Sequence, residues 1–334
     1  VAFLAPTTVL VEQHLKVLRE RFKGYPFVIE SLSRFSSQEQ KDSVIEGIGK
    51  GGVDLVIGTH SILSKDINFK NLGLLVIDEE QKFGVKQKEN IKSKRVETNV
   101  LSLTATPIPR TLNMALSGIR DISVLATPPQ GRVEIQNSFG QFSWSKVMEA
   151  ISKELERGGQ VYYLHNRVNN IEYVYEKLTN MFPHHRVGIV HGQMDVQQLS
   201  KNMISFVNGN TDIIVCTTII ENGLDIPNAN TLIIEDATML GLAQMYQIRG
   251  RIGRSSKQAF AYFFLHTLKG DAILRLNALR ESQELGSGFL LSNRDLEIRG
   301  SGDILGQNQS GTINSVGYGL YTQMLSSAIK KLGK

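Results

Sequence analysis

An apolar run, residues 74–77, is followed at once by Asp78, Glu79, Glu80 and Gln81. A carboxylate at the carboxyl end of a buried parallel strand lies where open α/β sheets bind ligands. Asp78 suits Mg²⁺, which takes carboxylate oxygens and keeps its other positions for water and phosphate. Glu79 could orient or deprotonate an attacking water. An isolated Asp-Glu pair is more often an acidic strand end that leads into a turn. The pair alone is therefore weak evidence for a magnesium site.

A second group of charged residues occurs far along the chain, in QIRGRIGR, residues 247–254. Its three arginines alternate with two glycines, so the backbone can pass close to an anion while the guanidinium groups point at it. Arg251 and Arg254 share one face if this segment is a helical turn. Arginines of this kind stabilise charge on a phosphoryl group in transfer, and a solvated basic loop is the alternative. Acids in one half and arginines in the other predict a site that works when a cleft between two domains closes.

The elements that must position these residues follow from short apolar runs that alternate with helical stretches. This alternation is typical of an α/β fold, in which helices cover a parallel sheet. Strands are predicted at residues 1–5, 27–31, 53–57, 74–78, 100–103 and 122–125, and then at 160–164, 187–190, 212–216, 231–235 and 259–265. Helices are predicted at 9–22, 38–47, 144–157, 169–182, 196–207 and 242–249.

The alternation is interrupted once, at Pro128 and Pro129, which can continue neither a helix nor a central strand. We therefore predict a first domain over residues 1–127, a linker over 128–142 and a second domain over 143–267. Residues 268–334 change to helix and Gly-rich loop. Two tandem α/β domains and a helical segment are the predicted architecture.

Composition restricts the class of protein only loosely. The 334 residues carry 37 Lys and Arg against 32 Asp and Glu, a net charge of +5 that permits a polyanionic partner without requiring one. Cys216 is the single cysteine, which excludes a disulfide scaffold and a cysteine-based zinc site and favours a reducing compartment. The apolar runs have the length of strands, so no transmembrane helix is predicted.

A phosphate-splitting site of this type usually includes a Gly-rich loop that ends in Lys-Ser or Lys-Thr and cradles the phosphates of the nucleotide. The sequence contains no such loop; GIGKGG, residues 47–52, is the nearest match but lacks the hydroxyl residue. We therefore expect that the chain is a fragment without the front of its first domain, and that it neither binds ATP tightly nor hydrolyses it alone.

Seven segments in a fixed order resemble the motifs of superfamily 2 helicases and translocases. DEEQ resembles the DExx box and QIRGRIGR resembles motif VI. The other segments are APTTVLVEQH (5–14), IGTHSIL (57–63), LTATPIPRTL (103–112), YLHNRV (163–168) with HGQM (191–194), and CTTIIENGLDIPNAN (216–230). The resemblance covers essentially the whole chain and implies two RecA-like domains followed by a translocation segment. DLEIRGSGDILGQNQSG, residues 295–311, is similar to the translocation segment of the bacterial RecG-like group.

The resemblance implies a role for individual residues. In the nucleotide reaction Asp78 would hold Mg²⁺, Glu79 would activate water, Gln81 would couple the nucleotide state to the cleft, and Arg251 and Arg254 would be arginine fingers. Gln247, Gly223 and Asp225 would contact or sense ATP. The implied coupling residues are Thr104, Thr106, Arg110, Arg299 and Gln309. The implied DNA contacts are Thr7, Thr8, Gly58, Thr59, His60, Asn166, Arg167, His191, Gly192, Thr217 and Thr218.

Hydroxyl, amide and backbone groups of this kind suit phosphate oxygens, which position a strand without reading its sequence. Three of these residues could instead have a purely structural role. Thr7 and Thr59 could be helix caps, and His191 could be a hydrogen-bonded structural histidine.

Within the group, TTIIENGLDIPNANT and YYLHNRV favour the transcription-repair coupling translocases over RecG-like branch-migrating helicases. The implied activity is ATP-dependent translocation on double-stranded DNA in the bacterial cytoplasm at the nucleoid. The implied partners are RNA polymerase, which is displaced from a stall, and excision-repair proteins, both bound through modules outside this chain. A nucleotide-independent DNA-binding module is the third possibility.

Overall fold

The computed structural model describes residues 1–34, 36–64, 66–83, 98–104, 133–218, 226–266 and 276–280, with the single positions 121, 123, 125 and 127. The described residues before position 106 form one compact unit, and those after position 132 belong to a second. Of the predicted elements, half of the strand at 122–125 and most of the segment at 268–334 lie outside the described residues; the described positions 123 and 125 are not in a strand.

The first unit is built on a five-stranded sheet in which every described pairing is parallel. Its strands, in chain order, are β1 (Ala2–Leu4), β2 (Ile29–Leu32), β3 (Leu55–Gly58), β4 (Leu74–Asp78) and β5 (Asn99–Leu103). They lie side by side in the order β2-β3-β1-β4-β5, so β1 and β4 are interior strands. The helices are α1 (Thr8–Arg21) and α2 (Gln38–Lys50). A buried cluster that includes Leu4, Ile48, Ile62 and Leu75 forms the core.

The second unit contains a six-stranded sheet, again with only parallel pairings. Its strands are β6 (Gln136–Gln141), β7 (Gln160–Leu164), β8 (Val187–Val190), β9 (Ile213–Cys216), β10 (Ala229–Ile234) and β11 (Phe260–Leu265). The spatial order is β6-β11-β10-β7-β9-β8. The helices are α3 (Trp144–Glu156), α4 (Ile171–Met181), α5 (Val196–Val207) and α6 (Leu242–Arg249).

The interior strands of the second sheet show why the sequence pattern is so clear. Every residue of β7, β9 and β10 is buried, because helices cover both faces of a parallel sheet and the strands then read as continuous apolar runs. Local caps fix the helix starts: Asp195 accepts from the N–H groups of Gln197 and Gln198 at the start of α5. The two parallel sheets confirm the predicted α/β class with tandem parallel-sheet domains.

Strand β6 is an addition to the predicted elements, since it lies inside residues 128–142, for which the sequence predicts a linker. It pairs in parallel with β11 along its whole length, from Gln136 opposite Phe260 to Gln141 opposite Leu265. Its sequence QNSFGQ contains one large apolar residue, Phe139, which stacks on Phe263. An edge strand with one stacked aromatic gives almost no hydrophobic alternation, so the pattern does not reveal it.

Among the described residues, no helix combines the length and the apolarity that crossing a membrane requires.

Candidate nucleotide and nucleic-acid sites

Asp78 and Glu79 lie at the carboxyl end of β4, which is hydrogen-bonded to β1 on one side and β5 on the other. Glu79 has φ 51° and ψ 54°, and it is the one residue other than glycine with positive φ among the described residues. Its N–H donates to the Leu103 carbonyl oxygen (3.0 Å), and its own carbonyl oxygen accepts from the Lys82 N–H (2.8 Å). A left-handed conformation costs a residue with a Cβ about 1–2 kcal/mol. Strain of this kind is commoner at functional positions than elsewhere, which makes Glu79, at 6% exposed, a candidate.

Asp78 has a neighbour to which the motifs assign no role. His14, on α1, places Nε2 3.0 Å from Asp78 Oδ2, and its ring packs at 4.6 Å against Phe3 of β1. His14 is the last residue of the motif APTTVLVEQH, but its spacing from Asp78 in sequence gives no signal of the contact.

The donor set at Asp78 fits a magnesium ion that is held mainly by phosphates and water. Among the described residues no group of three or more His, Cys, Asp or Glu side chains could hold a metal. One carboxylate is nevertheless sufficient here, because Mg²⁺ in nucleotide sites typically takes one or two carboxylates and completes its shell with water and substrate phosphates. The Asp78 side chain is 20% exposed and so can reach such a ligand.

The other predicted residues of the first unit lie at the same edge of its sheet. Parallel strands bring their carboxyl ends to one edge, and here these ends belong to neighbouring strands. Thr7 and Thr8 follow β1, Gly58 ends β3 and precedes Thr59 and His60, and Thr104 follows β5. The sheet therefore gathers these residues beside Asp78.

The two threonines that could be helix caps differ in their local hydrogen bonds. Thr7 is an N-cap, because its side chain accepts from the Leu10 N–H at the start of α1 (3.4 Å). Thr59 makes no side-chain cap bond; its hydroxyl instead lies 3.1 Å from the Ser61 hydroxyl.

In the second unit the predicted DNA contacts also lie at the carboxyl edge of the sheet. Asn166 and Arg167 follow β7, His191 and Gly192 follow β8, and Thr217 and Thr218 follow β9. These three strands are neighbours in the order β7-β9-β8, so the sheet brings the three pairs of residues to one edge.

Two side chains at this edge have buried polar atoms without a hydrogen-bond partner among the described residues. They are Asn166 Oδ1 and His191 Nδ1. The other ring nitrogen of His191 lies 3.8 Å from Glu172 Oε1, too far for a hydrogen bond. The described surroundings of His191 therefore do not provide the hydrogen bonds of a structural histidine. Buried polar atoms of this kind require a physical reason, and an absent ligand is one.

The arginine segment lies at the opposite edge of the second sheet. Helix α6 carries the half-buried Gln247 and ends at Arg249. The turn that follows packs beside the amino ends of β6 and β10: a Cβ on Gly253 would lie 3.0 Å from Ile135, and the Ser255 hydroxyl donates to Asn230 Oδ1 (3.1 Å).

The helical turn suggested for Arg251 and Arg254 does not form, because the helix stops at Arg249. Arg251 is buried, at 5% exposed, whereas Arg254 is exposed and donates from Nε to the Gly250 carbonyl oxygen (3.2 Å). The two guanidinium groups therefore have different environments.

Several predicted residues cannot be placed. Gly223, Asp225, Thr106, Arg110, Arg299 and Gln309, and the side chain of Gln81, lie outside the described residues.

Comparisons with known proteins agree with this architecture. Residues 1–115 match the DEAD/DEAH box helicase family, and residues 145–256 match the helicase conserved C-terminal domain. Transcription-repair-coupling factors of Bacillus subtilis (strain 168) and Staphylococcus haemolyticus are each 50% identical to this chain over 99% of its length. The chain spans 28% and 29% of these two relatives.

Solved structures show the same fold. RecG bound to a three-way DNA junction is 31% identical, with a TM-score of 0.77, over 97% of this chain and 43% of its own. Dbp5 of S. cerevisiae, bound to RNA and ADP BeF3, is 20% identical with a TM-score of 0.63, over 84% of this chain and 74% of its own, and it shows the fold alone. Two segments of the chain therefore match helicase domain families, and nearly the whole chain is similar to a segment of the transcription-repair-coupling factors.

Proposed function

We propose that this chain is the motor part of an ATP-dependent translocase that moves along double-stranded DNA during transcription-coupled repair. The observation that carries the proposal is the 50% identity to transcription-repair-coupling factors over 99% of the chain. The chain spans about 28% of those relatives, so the activity of the whole protein is part of the proposal.

The first unit supplies the acids of an ATPase site. We infer that Asp78 holds Mg²⁺, which supplies positive charge to the phosphates when it is bound. Glu79 orients or deprotonates the attacking water. The hydrogen bond from Glu79 N–H to Leu103 and the left-handed backbone fix the direction in which the Glu79 side chain leaves the backbone.

The second unit supplies arginines for the charge that develops on the transferred phosphoryl group. Arg251 is buried, and a buried guanidinium acts with less screening by solvent than an exposed one. Arg254 is exposed, and its Nε is bonded to the backbone of the same turn. This bond holds the planar guanidinium at the surface, where its fork of donors suits a phosphate.

The contacts with DNA fall on the carboxyl edges of the two sheets. Most of the groups there are hydroxyls, amides and backbone N–H groups, which suit phosphate oxygens and carry no sequence preference. The presence of Asn166 Oδ1 and His191 Nδ1 as buried polar atoms without a described partner supports a ligand at this edge of the second sheet.

The names of the relatives link transcription to repair, and the partners that we propose go beyond those names. We infer that the translocase acts on RNA polymerase at stalled transcription and delivers the site to excision-repair proteins, through parts of the relatives that this chain does not span.

The first experiment measures binding of this chain to a labelled linear duplex and to a three-way junction, over a range of salt concentrations. A translocase binds both, with a small salt dependence because few of its contacts are cationic; we expect a log–log slope shallower than about −3. Asn166→Ala and Thr217→Ala weaken binding, whereas the control is Thr179→Ala, whose hydroxyl donates to the Tyr175 carbonyl oxygen within α4. Binding only to the junction would favour a RecG-like branch-migrating activity, and no binding would refute the proposal.

The second experiment measures ATP hydrolysis by the chain extended at its amino terminus through a phosphate-binding loop, with and without linear duplex. Stimulation by duplex that disappears in Glu79→Gln while the nucleotide still binds is the expected result. An equal stimulated rate in Glu79→Gln would remove Glu79 from the chemistry.

A further inference from the structure

His165, the first residue after β7, is bonded through both of its ring nitrogens. Its side chain is 6% exposed, and its backbone N–H donates to the Cys216 carbonyl oxygen (2.8 Å). Nδ1 lies 2.7 Å from Glu235 Oε2, at the carboxyl end of β10, and Nε2 lies 2.8 Å from Asn170 Oδ1. A carboxylate and an amide oxygen can only accept hydrogen bonds, so both bonds form when the two ring nitrogens carry protons, and this arrangement favours the imidazolium form.

The surroundings of the pair favour this charge. Burial, the largest single effect, lowers the pKa of His165, but the hydrogen bonds to Glu235 and Asn170 and the charge of Glu235 together raise it above the ordinary value. Burial is also the largest effect on Glu235, whose pKa it raises, but the hydrogen bonds from His165 and Tyr163 and the charges of His165 and His266 together bring this pKa below the ordinary value. Tyr163 donates its hydroxyl to the same Glu235 oxygen (2.8 Å), which further stabilises the carboxylate.

Two other charged or titratable groups face the pair among the described residues. His266, at the carboxyl end of β11, places Nε2 3.6 Å from Glu235 Oε1. Arg167 repels the imidazolium and lowers the pKa of His165. The net direction for His165 is still upward, because the hydrogen-bonded acceptors outweigh the repelling guanidinium.

These bonds enclose two of the proposed DNA contacts. Asn166 and Arg167 lie in the chain between His165 and Asn170. His165 is bonded to Glu235 and to Asn170, so both ends of this short segment are held. Asn166 itself donates from its amide to the Asp236 carbonyl oxygen, the residue after Glu235. Asn170 precedes α4 as its N-cap residue but makes no side-chain cap bond, because its amide oxygen accepts from His165 instead.

We propose that His165 is a positioning residue for DNA binding: as an imidazolium between Glu235 and Asn170 it holds residues 165–170 so that Asn166 and Arg167 meet the phosphates. This inference rests on the proposed function. Residues 165–170 keep this conformation while His165 is protonated. They lose it as the pH rises through the raised pKa of His165.

The test has two arms. In the first, NMR of histidine labelled with ¹⁵N in the whole chain follows the protonation of His165, assigned by its absence in His165→Gln. In the second, anisotropy measures the affinity for a labelled linear duplex between about pH 6 and pH 9. The control His184→Gln makes the same change at an exposed histidine before β8. A second variant, Glu235→Gln, removes the charge of the partner carboxylate and leaves His165 itself in place.

We expect the duplex affinity of the unchanged protein and of His184→Gln to fall as His165 loses its proton. His165→Gln binds about 10- to 100-fold more weakly at the acidic end, the effect of losing one charged hydrogen bond, and its affinity changes little with pH. Glu235→Gln lowers the pH at which half of the duplex affinity is lost. If His165 had only a structural role, this midpoint would not move.

Two results would overturn the inference. One is a His165 that titrates at or below the ordinary histidine value; the other is duplex binding with the same pH profile in His165→Gln as in the unchanged protein. Either result leaves the proposed function standing. Failure of every variant and of the unchanged protein to bind duplex at any pH would overturn the proposed function, and the DNA role of His165 with it.

Discussion

Replacing Gly58 with alanine should destabilise the first unit, although only one methyl group is added. A Cβ on Gly58 would lie 2.3 Å from the Ile62 side chain and 2.7 Å from the Leu32 carbonyl oxygen. Ordinary contacts of this kind begin near 3.4 Å. Ile62 is fully buried, and Leu32 is the last residue of β2, directly opposite Gly58 in the parallel register. Neither neighbour can therefore move without displacing the core or the sheet.

The expected cost follows from what would have to move. The Gly58 carbonyl oxygen accepts from the Ala5 N–H (2.9 Å), so the glycine is held between β1 and β2. Overpacking a well-packed core typically costs about 1–3 kcal/mol. A backbone oxygen and a fully buried branched side chain are both in the way, so we expect the upper part of this range. About 2 kcal/mol corresponds to a roughly 30-fold change in the population of the open state.

The measurement must report on the first unit alone. Trp144, the single tryptophan, lies in the second unit, so its fluorescence should not detect the change. Amide hydrogen exchange of peptides from β1 and β3 is the suitable probe, because exchange reports the local opening equilibrium. Gly73→Ala is the matched control, since nothing lies within 4 Å of a Cβ at that exposed position.

We expect exchange in β1 and β3 to rise by about 30- to 150-fold in Gly58→Ala and to stay near the original rate in Gly73→Ala. Equal rates in the two variants would show that the first unit accommodates the methyl group. The packing argument for this glycine would then be wrong, and close approach of the backbone to a ligand would be the remaining reason for it.

Three further predictions concern the second unit. Glu154→Ala should destabilise this unit by about 1–3 kcal/mol, because it leaves the buried Thr231 hydroxyl without its acceptor; urea unfolding followed by Trp144 fluorescence measures the loss, and an unchanged midpoint would contradict it. Asp212 has a lowered pKa, because hydrogen bonds from Arg186 outweigh the effect of burial. Its contribution to stability is therefore present above the ordinary aspartate pKa and is lost as the pH falls through the lowered value. Asp212→Asn should lower the free energy of unfolding at neutral pH, and this loss should shrink in acid. A loss of the same size at every pH in urea unfolding would refute the argument. Arg254→Ala should leave duplex affinity within about twofold, since Arg254 lies at the amino edge of the sheet, away from the proposed DNA contacts; a loss as large as that of Asn166→Ala would show that the arginine turn also binds DNA.

The elements with strong hydrophobic runs could be predicted from the sequence almost to the residue. The predictions for β4, β7, β8, α5 and α6 coincide with the observed bounds. In the interior strands of the second sheet every side chain is buried, so the apolar run and the strand have the same limits. Strand β6 could not be found in this way, because its place in the sheet depends on pairing with β11, more than a hundred residues away in sequence.

The site residues were predictable by type and by order along the chain, but not by their partners. Motif order places Asp78 and Glu79 at a strand end, and the structure agrees. The hydrogen bonds of His14 to Asp78 and of His165 to Glu235 join residues 64 and 70 positions apart. Such contacts depend on which strands are neighbours, and the strand order cannot be read from local patterns. The exposure of Arg254 and the burial of Arg251 depend likewise on where α6 ends.

The second sheet offers separate places for the two ligands proposed for it, the nucleotide and the DNA. A parallel sheet has two chemically different edges, since every strand enters at one and leaves at the other. The polar residues that follow β7, β8 and β9 lie at the carboxyl edge, whereas the arginine turn packs against the amino ends of β6 and β10. The buried strands between these edges are rigid and closely packed. A displacement of the arginine turn is therefore expected to move the whole sheet, and with it the loops of the proposed DNA contacts, as one body. For the proposed translocase, this arrangement favours movement of those loops along the duplex over a local change in their affinity.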